Sequence, residues 1–67
     1  MTDMTRLRRI IKDSGFKLDF VAKAIGLTTS GLYDKFQTGT EFKPSQVVKL
    51  CELLKIDDKT RKEIFLI

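Results

Sequence analysis

Thr29, Ser30, Tyr33 and Asp34 fall within one short stretch, TTSGLYDKFQT, that starts at Thr28. Three of them carry hydroxyls, which donate and accept hydrogen bonds; the fourth is a carboxylate, which when ionised only accepts. Such groups suit recognition better than catalysis here. The chain has no histidine, no nucleophile–base pair and no phosphate-binding glycine loop, so no enzyme chemistry is expected. Its single cysteine, Cys51, allows neither an internal disulfide nor a cysteine/histidine metal cage. Set among Val47, Val48 and Leu54, that thiol reads as a small core residue. No metal, cofactor or small-molecule substrate is expected.

The partner suggested by charge is an anion. Lys and Arg number 13 against 9 Asp and Glu, a net charge of +4. Residues 1–43 hold eight of the cations and five of the acids, so the excess lies mostly before Pro44. A basic small domain favours nucleic acid or an anionic surface, although the same balance fits an ordinary solvated exterior. No apolar run is long enough to cross a bilayer and no signal peptide is present, so no membrane is expected. The lone cysteine fits a reducing cytosol, and 67 residues beginning at Met1 suggest one complete small domain.

The elements that would position those side chains follow from apolar spacing. Met4, Leu7, Ile10 and Ile11 predict a first helix over Asp3 to Ser14, capped by Asp3 or Thr2 and ended by Gly15. Phe20, Val21, Ala24 and Ile25 predict a buried face on a second helix from about Leu18 to Ile25, with Gly26 as a left-handed stop. Thr28 is a good N-cap for a third helix reaching about Gln37, with Leu32 and Phe36 facing inward. Pro44 suits the first position of a fourth helix, which is apolar over most of its surface and so reads as the central one. Asp57 can cap a fifth from about Asp58 to Phe65. No run alternates as a strand would, so the fold class is all-α with five short helices.

Gly26 answers for the bend between the second and third helices. Two short helices joined by a tight turn containing Gly form a helix-turn-helix, here spanning about 18–37. In that unit Leu27 turns inward, Ala22 permits a close crossing, and the outer face of the second motif helix can enter a DNA major groove. Thr29, Ser30 and Tyr33 are then the candidates for base-edge contacts. Asp34 could accept from a cytosine amine or equally remain a solvated charge. Gly31 would leave room for backbone to approach DNA, or serve packing alone. On the rim, Lys17, Lys35, Thr38, Thr40 and Lys43 are placed for phosphate contacts, as are the first N–H groups of the second helix. The Arg6/Arg8/Arg9 cluster reads mainly as the exposed face of the first helix.

The stretch FVAKAIGLTTSGLYDKF resembles the helix-turn-helix of phage Cro and CI repressors, the lambda-repressor-like or XRE-type DNA-binding domains. Ala22 stands four residues before Gly26 and Leu32 six after it, as in that motif. The segment EFKPSQVVKLCELLKIDD, followed by an apolar IF, is similar to small Cro-like regulators of Gram-positive phages and mobile elements. The resemblance covers about Leu7 to Phe65. It implies a five-helix lambda-repressor-like fold and a repressor of transcription, commonly dimeric on a palindromic operator, in the cytoplasm of a bacterial host. Many relatives place Gln at the start of both motif helices; this chain has Leu18 and Thr29 there, and no Arg in the recognition helix.

The tail Ile64-Phe65-Leu66-Ile67 cannot turn every side chain inward from one helix. Together with Leu53 it is the expected interface of a homodimer, or of a heterocomplex with another repressor. Two functions therefore compete. One is repression through operator DNA. The other is an antirepressor, a protein-interaction module that keeps the fold but acts by binding a partner repressor.

Overall fold

The computed structural model describes residues 2–66. Five helices follow in order: α1 Met4–Ser14, α2 Leu18–Ala24, α3 Thr29–Thr38, α4 Pro44–Leu54 and α5 Asp58–Phe65; there is no strand among the described residues. The expected ends fall within a residue or two of these. None of the helices is long and apolar enough to cross a membrane.

The helix starts are set by short polar side chains. Asp3, Thr28 and Asp57 each accept a hydrogen bond from a backbone N–H three residues on, at Arg6, Gly31 and Thr60. Each such cap is worth about 1 kcal/mol. Pro44 opens α4, and the Gln46 side chain accepts from the Lys43 N–H at 2.9 Å while the Gln46 N–H donates back to the Lys43 carbonyl.

One core joins all five helices: Leu7 and Ile11 from α1, Val21 and Ala22 from α2 with Ile25 just beyond it, Leu32 and Phe36 from α3, Val47 and Leu50 from α4, Ile64 and Phe65 from α5. α2 packs on α3 and α4, while α1 reaches α3, α4 and α5. The first residues are tied into this body. The Asp3 N–H donates to the Ile64 carbonyl at 2.7 Å, and Thr2 donates through both its N–H and its hydroxyl to the Glu41 carboxylate.

Several expected faces turn. On α2 the buried stripe is Val21, Ala22 and Ile25 with Leu18 half-buried, the i, i+3, i+4, i+7 pattern, so Ala24 is only partly covered and Phe20 is 51% exposed. Ala22, fully buried, lies at the centre of that stripe. On α4 the core residues are Gln46, Val47 and Leu50; Val48 is exposed and Cys51, Leu53 and Leu54 are half-buried, so α4 is a one-faced helix rather than an all-round core helix. Phe42, in the connection before α4, is buried against Phe65 with ring centroids 6.3 Å apart, edge to face.

Between α2 and α3 the chain bends through Gly26, whose φ is +84°. The Leu27 N–H closes the turn by donating to the Ala22 carbonyl at 2.8 Å. A Cβ at Gly26 would meet nothing within 4 Å, so an L side chain is opposed there by backbone conformation alone. Gly26→Ala is therefore expected to cost about 1–2 kcal/mol in urea unfolding. A neutral result would mean that the turn relaxes to negative φ.

Candidate nucleic-acid interface

α3 presents two unlike faces. Leu32 and Phe36 hold it to the core from beneath. Ser30, Tyr33, Asp34 and Gln37 are exposed, Tyr33 to 46%. The face is polar and short-chained, which brings the helix backbone close to whatever it meets. Ser30, Tyr33 and Asp34 stand together on it, as successive positions i, i+3, i+4 require.

Its start is fixed from two directions. Thr28, in extended backbone, accepts the Gly31 N–H at 2.9 Å. A Cβ on Gly31 would stand 3.2 Å from that Thr28 oxygen, so packing against the cap accounts for the glycine. Thr29 makes the second link: its hydroxyl donates to the Asp19 carboxylate on α2 at 2.8 Å, and Lys23 stands 3.6 Å from the other Asp19 oxygen. Thr29 is half-buried, its proton committed, with its oxygen lone pairs left to accept. The Asp19–Thr29 bond was not foreseen. The signal was present in two polar residues ten apart across the bend, but α2's rotation had to be known to see them meet.

The Thr29 hydroxyl, followed by the Lys23 charge, holds the Asp19 carboxyl below its ordinary value of 3.8. A carboxyl depressed in the folded state adds stability above the unfolded pKa and loses it as pH falls through the folded one. Thr29→Val is thus expected to flatten part of the stability loss on acidification below pH about 4. Thermal melts of both proteins across that range check it; parallel curves would show that the bond carries nothing.

The five rim candidates differ in what they have free. Lys17 and Lys43, each just ahead of a helix, are exposed and their ammonium groups make no ion pair among the described residues. The Lys35 ammonium donates to the Glu41 carbonyl at 3.0 Å and sits 5.4 Å from the Phe42 ring centroid, keeping its remaining N–H donors. Thr38 donates to the Asp34 carbonyl at 2.8 Å and its hydroxyl lies 2.7 Å from that of Thr40, so this pair is partly satisfied within the chain.

The expected partner surface is corrected at two positions. Ile64 and Phe65 are 0% and 2% exposed, sealed against the chain's own core, and cannot also coat a partner. Leu66 leaves the helix with φ +60° and is 61% exposed; Leu53 is half-buried. Ile67 lies outside the described residues. No group of His, Cys, Asp and Glu able to hold a metal occurs among the described residues. Burial pushes the half-buried Cys51 thiol up, against the thiolate a nucleophile would need. Comparisons with family models, curated proteins and solved structures find no match to this chain.

Proposed function

We propose that the chain is a sequence-specific DNA-binding regulator of transcription, a Cro-like repressor of lambda-repressor-like fold, with α2 and α3 as its helix-turn-helix. The observation that carries the reading is the exposed hydroxyl and carboxylate face of α3, Ser30, Tyr33 and Asp34, on a helix anchored beneath by Leu32 and Phe36 and tied at its start to α2. A helix so held can enter a major groove without the reader side chains giving up core contacts. Lys17 and Lys43 supply free ammonium groups for phosphates, and Lys35 its remaining donors.

Few readers per protomer mean modest discrimination, since even good bidentate contacts are worth only about 1–3 kcal/mol each. Two copies on a palindromic site double that number, so the reading includes a dimer on DNA. Sedimentation of the protein with and without its selected site is expected to give two protomers per duplex; one per duplex at saturation would refute that part.

The decisive experiment is selection of binding sites from a random duplex pool, followed by gel shifts over a salt series. The expected result is an enriched palindrome, with log affinity falling against log salt by about 0.9 per phosphate contacted. No enriched sequence, or a flat salt response, would leave the antirepressor reading in its place.

A further inference from the structure

A second surface of the molecule combines features that the α3 face lacks. Between the C-terminal half of α1 and the start of α2 lies an open groove of about 560 Å³ that also reaches Phe36 of α3. Arg8, Arg9 and Lys12 line it with positive charge, and none of the three makes an ion pair among the described residues. Asp13 is the one carboxylate in the lining. Phe16, Leu18 and Phe36 give it an apolar wall. The Arg8 guanidinium carbon lies over the Phe36 ring, 5.3 Å from its centroid, which sets the charge beside that wall. Phe16 is 39% exposed and pairs with the still more exposed Phe20, ring centroids 5.2 Å apart, forming an aromatic lip. Ser30, Tyr33 and Asp34 are absent from the lining.

We propose that this groove binds an acidic peptide segment of a partner protein, one with carboxylates flanking an aliphatic or aromatic side chain. The complement is chemical at both ends. Three unpaired cations against one acid call for carboxylates, and guanidinium groups take these bidentately. The aromatic wall and lip call for an apolar anchor inserted between them, because exposed rings packed on each other still leave faces to water. A nucleic-acid backbone satisfies the charges and leaves the aromatic wall wet, so the combination favours peptide. The inference stands apart from the reading of α3, and either can fail without the other.

The test uses the full chain and the peptide acetyl-Glu-Asp-Glu-Leu-Asp-Phe-Leu-Glu-Asp-Glu-amide, titrated under heteronuclear NMR. The expected result is saturable shifts at Arg8, Arg9, Lys12 and Phe16. A peptide with Ser in place of its Leu and Phe residues should bind at least about tenfold more weakly, as should the protein variants Arg9→Glu with Lys12→Glu, or Phe16→Ser. All three substituted positions are exposed, and unchanged helical circular dichroism verifies folding. Equal binding by the Ser peptide would reduce the groove to charge attraction and overturn the proposal. So would shifts centred on α3, an absence of shifts at millimolar peptide, or perturbation of the groove by mixed-sequence duplex DNA and not by peptide.

Discussion

Leu32→Ala is expected to leave the protein largely unfolded on mild heating, whereas Val48→Ala leaves it as it was. Leu32 is fully buried at the point where α3 rests on the core. Removing such a side chain costs its transfer free energy and opens a cavity, together about 2–5 kcal/mol. A chain of 67 residues has a total stability of about 3–10 kcal/mol. The loss is therefore of the same order as the whole. Val48, exposed on α4, should change stability by no more than about 0.5 kcal/mol. Urea unfolding followed by helical circular dichroism measures both. Similar midpoints for the two variants would mean that α3 is not held from beneath, and the proposed recognition face would lose its support. Phe65→Ala belongs with Leu32→Ala: its ring packs edge to face on Phe42, so stability should fall. Were Phe65 a partner contact instead, its loss would change association and spare stability.

How far these features could be read from the chain depended on their range. Helix ends were legible because each is decided within four residues: Asp3, Thr28 and Asp57 cap from their own side chains, and Gly26 turns by its own backbone. The all-helical class and the inward pair Leu32 and Phe36 followed from local spacing. Faces were harder. In a seven-residue helix such as α2, a choice between Phe20, Val21, Ala24, Ile25 and the stripe one residue further on rests on a single turn of sequence. Large Phe20 outweighs small Ala22 by hydrophobicity, yet close packing, which no local pattern encodes, settled it the other way.

Contacts that cross the chain were not legible at all. Phe42 sits in a polar connection and looks like surface until α5 brings Phe65 to it. The same docking draws Ile64 and Phe65 inward, where their run with Leu66 reads as an apolar tail seeking a partner. Thr2 and Glu41 are 39 residues apart and meet only because the fold brings the first residues to the α3–α4 connection. The exposure of Ser30 and Tyr33 was legible for a contrary reason: they are polar where a packing helix gains nothing from polarity, and a face without a structural task is open to a functional one.

Ser30→Ala combined with Tyr33→Ala should separate recognition from attraction. Both side chains are exposed and neither hydroxyl has a partner in the fold among the described residues, so folding should be unaffected. At a selected operator each lost base-edge contact costs about 1 kcal/mol, the low end of the range because a hydroxyl offers one bond rather than a matched pair. Two contacts on each of two protomers then weaken specific binding by several hundredfold or more, about 4 kcal/mol. Binding to unrelated duplex should hardly change, and neither should the salt slope, since no phosphate donor has been removed. Lys17→Ala is the opposite case: it should weaken operator and unrelated DNA alike and lower the slope by about 0.9 for each copy bound. The two variants thus move along different axes of one salt titration. If Ser30 and Tyr33 can be removed with operator affinity intact, α3 is not the reading helix. If they and Lys17 weaken both DNAs equally, the chain binds phosphate without reading sequence.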